Sequence, residues 1–174
     1  DIDGDGDIDI ASTASDYDND NAATWIWFDN NGSESFTIRE VSLELGGYGG
    51  NEIEIRDLDQ DGDMDLISSS WQNLVWFENT TSTAFDPTFT VAVISTSATG
   101  ASNVSAADMD NDGDMDILSA SANNDEIRWY ENDGAINPSW SAITISSAAD
   151  YVSGLHHANL DNDGDMDVIS ASYS

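Results

Sequence analysis

Apolar residues in this chain come in short runs, broken by Gly, Asn, Asp and Ser, and no stretch repeats them at the spacing of a helix face. The runs recur in a fixed order. The first set is Ile8-Asp-Ile-Ala-Ser12, Met64-Asp-Leu-Ile-Ser68, Met115-Asp-Ile-Leu-Ser119 and Met166-Asp-Val-Ile-Ser170. An aromatic set follows: Trp25-Ile-Trp-Phe-Asp-Asn30, Leu74-Val-Trp-Phe-Glu-Asn79 and Ile127-Arg-Trp-Tyr-Glu-Asn132. A third covers 36–43, 89–94 and 140–145, and a fourth covers 52–55, 103–106 and 154–157. Runs rich in β-branched and aromatic residues between turn formers predict strands. The chain is therefore expected to be all-β.

Ahead of each first-set strand lies an acidic tract: Asp1-Ile-Asp-Gly-Asp-Gly-Asp-Ile-Asp9, Asp57-Leu-Asp-Gln-Asp-Gly-Asp-Met-Asp65, Asp108-Met-Asp-Asn-Asp-Gly-Asp-Met-Asp116 and Asn159-Leu-Asp-Asn-Asp-Gly-Asp-Met-Asp167. Tract starts are 56, 51 and 51 residues apart, the period of a repeat architecture. Four short strands per repeat is what a β-propeller blade, a four-stranded antiparallel sheet, requires. The blade repeats are expected at 1–56 (incomplete at its start), 57–107, 108–158 and, in part, 159–174. The five extra residues of the first repeat fit a polar surface loop at 15–21. About seven such blades would close a ring of roughly 360 residues. Three and a half repeats are expected to be part of a larger propeller or assembly.

Alternating carboxylates with glycine at the sixth place form an oxygen cage for a hard cation, and calcium fits it best because it takes many oxygen ligands at loose geometry. An EF-hand would carry a bidentate Glu at its twelfth position between helices. Here that position holds Ser12, Ser68, Ser119 and Ser170, and strands follow. The glycine-rich calcium β-helix has a far shorter repeat. The bare loops hold like charges a few ångströms apart, each pair costing about 4 kcal/mol at an effective dielectric of 20, so cation binding is expected to feed directly into folding.

Composition sharpens this picture. The chain has 174 residues, 35 Asp plus Glu, and three basic residues (Arg39, Arg56 and Arg128), for a formal charge of −32. The tracts hold 19 of the 35 acids, so much of the charge sits in the candidate sites. Four calcium ions, one per tract, would bring the charge to −24. That still disfavours nucleic acid and anionic membranes, which need Lys/Arg patches. No apolar run is long enough for a membrane span, so no insertion is expected. Six Trp, five Tyr and five Phe argue for a packed core over a disordered acidic tail. The absence of cysteine leaves no disulfide framework.

The pattern Asp-x-Asp-x-Asp-Gly-Asp-hydrophobic-Asp, a strand, then Trp-Tyr/Phe-Glu/Asp-Asn resembles the FG-GAP-like (VCBS-type) repeat over essentially the whole chain. The resemblance implies propeller blades like those of the integrin head, with one calcium loop in each. It also implies that side chains at tract positions one, three, five and nine and the carbonyl at seven hold the ion. That assigns Asp1, Asp3, Asp5, Asp9 and the Asp7 carbonyl, then Asp57, Asp59, Asp61, Asp65 and the Asp63 carbonyl. The third set is Asp108, Asp110, Asp112, Asp116 and the Asp114 carbonyl; the fourth is Asn159, Asp161, Asp163, Asp167 and the Asp165 carbonyl. Asn159 departs from the pattern and supplies less charge.

Other motifs point less far. Trp27, Trp76 and Trp129 recur at one place and are expected to pack between blades; Trp71, in a turn-like stretch, is the better glycan contact. His156 and His157 align with Glu54-Ile55 and Ser105-Ala106, a position without the constraint of a catalytic pair. No nucleophile with an adjacent base and no phosphate loop is visible, so no enzyme is expected. Asn31, Asn79 and Asn103 begin N-glycosylation triplets, and Asn31 and Asn79 are expected in the turn after the aromatic strand, where a glycan would have room. The expected role is an extracellular calcium-stabilised building block for surface structure or adhesion. Its expected partners are other blades of the same polypeptide, or neighbouring copies in a ring or filament. The alternatives are a lectin-like glycan-binding module and, further off, a non-catalytic part of a polysaccharide-active enzyme. The chain opens on the first residue of a tract and is read as a segment of a longer protein.

Overall fold

The computed structural model of the chain describes residues 1–15, 23–33, 35–41, 50–81 and 86–173. Every regular element among them is a strand. These are β1 (Ile10–Ser15), β2 (Ala23–Asn30), β3 (Phe36–Val41), β4 (Gly50–Arg56), β5 (Asp65–Ser70), β6 (Leu74–Asn79), β7 (Phe89–Ser95), β8 (Ala101–Ala107), β9 (Asp116–Ser121), β10 (Glu126–Asn132), β11 (Trp140–Ser146), β12 (Val152–Ala158) and β13 (Asp167–Ser172). They form two four-stranded sheets, β4-β5-β6-β7 and β8-β9-β10-β11, flanked by β1-β2-β3 and by β12-β13. All pairings are antiparallel between chain neighbours. The loop expected at 15–21 falls almost wholly outside the described residues.

The sheets are out of phase with the tract-to-tract repeat. Each four-stranded sheet begins on the strand ahead of its tract, so the tracts at 57–65 and 108–116 are loops within a sheet. The physical reason is that the tract joins the first antiparallel pair, β4 to β5 and β8 to β9, and cannot separate one sheet from the next. The four-stranded sheets run over 50–95 and 101–146, while the repeats are counted from tract to tract.

Burial follows the stacking of sheets. β5 and β9 are buried at every residue. Both faces of these strands are covered, and alternate residues serve different neighbours. Leu66 joins a cluster with Ile2, Trp25, Trp27 and Phe77, while Ile67 joins one with Leu58, Trp76, Val104 and Tyr130. A third cluster packs Leu118, Ala120 and Ile127 against Val152 and Leu155. Each cluster lies between adjacent sheets, so no sheet owns a core of its own. Trp27 and Trp76 are each 3 % exposed, and Trp129 packs half-buried against the third cluster. The three recurrent tryptophans thus occupy equivalent seams.

The first strands of successive sheets are also stitched side by side. Glu52 Oε2 accepts the Val104 N–H and the Asn103 amide, both at 2.9 Å, and Glu54 Oε2 accepts the Ala106 N–H at 2.9 Å. Burial raises the Glu54 pKa above the ordinary glutamate value, against the opposing pull of the Ala106 N–H. At the next seam Ser102 Oγ donates to Val152 O at 3.0 Å, and Ser105 Oγ meets His157 Nδ1 at 3.0 Å. His157 therefore has a structural place, while His156 is exposed.

Candidate metal centres

Each tract curls through the same hydrogen bonds. The carboxylate at position three accepts the N–H at five: Asp3 from Asp5, Asp59 from Asp61, Asp110 from Asp112 and Asp161 from Asp163, at 3.2–3.3 Å. Position five accepts from seven: Asp5 from Asp7, Asp61 from Asp63, Asp112 from Asp114 and Asp163 from Asp165, at 2.8–3.0 Å. Position one accepts from the glycine at six in Asp1, Asp57 and Asp108. That glycine has φ between 96° and 107° in all four tracts, a conformation that L side chains rarely adopt. Glycine at position six is thus a condition of the curl.

The curl brings carboxylates together. Single oxygens of Asp1, Asp3 and Asp5 lie within 4.8 Å of one another, as do those of Asp57, Asp59 and Asp61, and of Asp108, Asp110 and Asp116. Asp57 Oδ1, Asp108 Oδ1 and Asn159 Oδ1 are buried without a hydrogen-bond partner. A buried acceptor left unpaired is costly, and a cation would complete it. The amide oxygen of Asn159 occupies the same condition as the carboxylates it replaces. The position-seven side chains turn elsewhere: Asp7 lies against Gly32 and Asp114 against Gly134, each so close that a Cβ on the glycine would collide.

Position nine behaves differently from the rest. It opens β5, β9 and β13, and Asp9 stands one residue before β1. Its Oδ2 accepts the N–H at position two: Ile2, Leu58, Met109 and Leu160 donate to Asp9, Asp65, Asp116 and Asp167 at 2.7–3.1 Å. Its Oδ1 accepts the N–H of the Asn that closes the aromatic strand, Asn30, Asn79 or Asn132, at 2.8–2.9 Å. Each oxygen retains a lone pair for an ion. Burial raises the pKa of Asp65 from 3.8 to about 7, with the Asn79 and Leu58 N–H groups pulling the other way. Burial also raises Asp3, Asp59, Asp63 and Asp116, and neighbouring tract carboxylates add to the rise. The loops are short of positive charge.

The Asn that closes each aromatic run, Asn30, Asn79 or Asn132, has a structural role that the sequence does not reveal. Asn79 Nδ2 donates to Met64 O in its own tract at 3.3 Å and to Ile2 O in the preceding tract at 3.1 Å. Asn132 does the same with Met115 O and Leu58 O, both at 3.0 Å. This corrects the glycosylation expectation at Asn79: its side chain is 1 % exposed and its amide is engaged, leaving no room for a glycan. Asn31 is exposed, and Asn103 is half-buried on Glu52.

Comparison with known families matches the FG-GAP-like repeat three times, at residues 1–68, 57–119 and 108–170. Each match begins on one tract and ends just past the next. The chain belongs to the FG-GAP-like repeat family. A comparison with curated proteins finds no match. Membership explains the offset seen in the fold, since an FG-GAP-like match takes in most of one sheet and the first strand pair of the following one. It also accounts for an all-β chain of four-stranded antiparallel sheets, a structural module of the β-propeller type.

Proposed function

We propose that the chain is a calcium-stabilised stretch of propeller, with VCBS-type blades of the integrin-head kind, acting outside the cell in surface structure or adhesion. One observation carries the calcium part: in tracts two and three the position-one oxygen is buried and unpaired beside converging acids, and in tract four the Asn159 oxygen is likewise buried and unpaired. The residues fit a hard cation, with side chains at positions one, three, five and nine and the carbonyl at seven as ligands. The ion would neutralise the loop, and its binding energy would add to folding energy. Extracellular calcium is abundant enough to fill sites with dissociation constants of about 0.1–1 mM, the range of many extracellular modules. The role is scaffolding; it asks for no catalysis.

A calcium titration by calorimetry tests this. About four ions are expected, with Asp112→Ala removing one and Asp150→Ala, exposed and outside every tract, removing none. Fewer than two ions, or equal preference for magnesium, would refute the calcium reading. The glycan-binding alternative loses its repeated platform, because Trp27 and Trp76 are buried and Trp129 is packed in a seam. Trp71, 42 % exposed, is the residue on which that alternative rests. Glycan-array binding that vanishes on Trp71→Ala would revive it.

A further inference from the structure

Position four of the tract carries no assigned role, yet it reaches from one tract to the next. Gln60, in tract two, donates from Nε2 to Gly113 O at 3.0 Å and to Asp114 Oδ1 at 2.6 Å, both in tract three. Asn111, its counterpart in tract three, donates to Gly164 O at 3.4 Å and Asp165 Oδ1 at 3.3 Å in tract four. Tract one has Gly4 at this place and no side chain to extend. The backbone is otherwise alike, with φ of 73° at Gly4, 60° at Gln60, and 62° at Asn111 and Asn162. The seams are equivalent too, since Asn79 bonds Ile2 O as Asn132 bonds Leu58 O.

We propose that the position-four amide couples cation occupancy between neighbouring tracts, so that tracts two, three and four fill as a linked series while tract one lacks this link. The proposal rests on the calcium reading and adds regulation to it. Gln60 stands between Asp59 and Asp61, so an ion drawing those two together fixes the backbone that carries the amide. The amide then holds the Gly113–Asp114 peptide region, whose position-seven carbonyl is a ligand in the next tract. Part of the ordering cost of tract three is thereby met before its own ion arrives, and linkage makes the effect reciprocal. Repulsion between the two ions opposes this, but solvent and salt screen charges separated by about 8 Å or more. The bridge is exposed, so the coupling is modest, about two- to tenfold in affinity. The shorter bonds of Gln60 make the two–three link the stronger.

The test is calcium titration of the full chain against a competing chromophoric chelator. Gln60→Gly keeps a residue that tract one already tolerates at this place and should weaken two of the bound ions by about two- to tenfold. Asn111→Gly should do the same more weakly. Gly4→Asn should bring tract one into the series and strengthen two ions, since an added Cβ there meets nothing within 4 Å and Asn adopts this φ at 111 and 162. In an Asp61→Asn background, where tract two no longer holds its ion, the effect of Gln60→Gly should vanish. If it persists there, or if Gln60→Gly weakens one ion only, the bridge is a static brace and the coupling is overturned while the calcium reading stands. A wild-type chain that takes up no calcium at millimolar concentration overturns both.

Discussion

β9 reads Asp-Ile-Leu-Ser-Ala-Ser and β13 reads Asp-Val-Ile-Ser-Ala-Ser, and the two could hardly be more different in surroundings. Every residue of β9 is buried, whereas β13 is exposed from Ile169 to Ser172. Leu118 is 0 % exposed and its counterpart Ile169 is 43 % exposed. The strand sequence does not decide this; the flanking sheets do. β9 has the tract-two sheet on one face and β12 on the other, through Ile117 and Leu118 respectively. In a repeat array stability is held at the interfaces between units, and nearly equal sequences have unequal worth.

The largest expected effect breaks that contrast directly. Leu118→Ala should cost about 2–5 kcal/mol in urea unfolding at fixed calcium, and Ile169→Ala under about 1 kcal/mol. Equal costs would mean that β13 is covered in solution. A smaller effect concerns the latch between sheets. Asn132→Ala removes the donor to Leu58 O and Met115 O and should cost about 1–3 kcal/mol; Asn30→Ala, whose Nδ2 donates to Ile8 O within one tract, should cost less. A reversed order in the same unfolding assay would remove the latch from the account of the seams.

A further effect is one of pH. The Asp65 carboxyl is raised from 3.8 to about 7 in the fold, so between those values the folded chain binds more protons than the unfolded one. Stability from this group is therefore greatest below 3.8 and is lost as pH rises towards 7. Without metal, the thermal midpoint should fall between about pH 5 and 7. Saturating calcium, which selects the ionised form, should flatten or reverse the slope. An upward slope in the metal-free chain would contradict the burial of Asp65 as the controlling influence.

Much of this was legible in the residues. Strand positions, the repeat and the tracts follow from alternation and spacing, because these are local properties of the chain. Sheet boundaries are less legible, because they depend on which strands pair across a tract and not on the tract itself. The engagement of Asn79 was hidden for a related reason: its partner Ile2 O lies 77 residues away, and a sequon pattern says nothing of burial. Gln60 and Asn111 looked like spacers between ligands, since only the seam geometry shows what an amide at that place can reach.

The Asn latch also sets a timetable. A tract is bolted down by a side chain from the repeat that follows it, 74 residues on for Leu58 and Asn132. A ribosome adding about 5–20 residues per second needs several seconds to make that stretch, beyond the residues held in its exit tunnel. The loops of tracts one and two therefore gain this bond only when the next repeat has emerged. Synthesis then proceeds like a zipper in which the first two teeth are closed by their successors, and protease protection of these loops in nascent chains should appear one repeat behind translation.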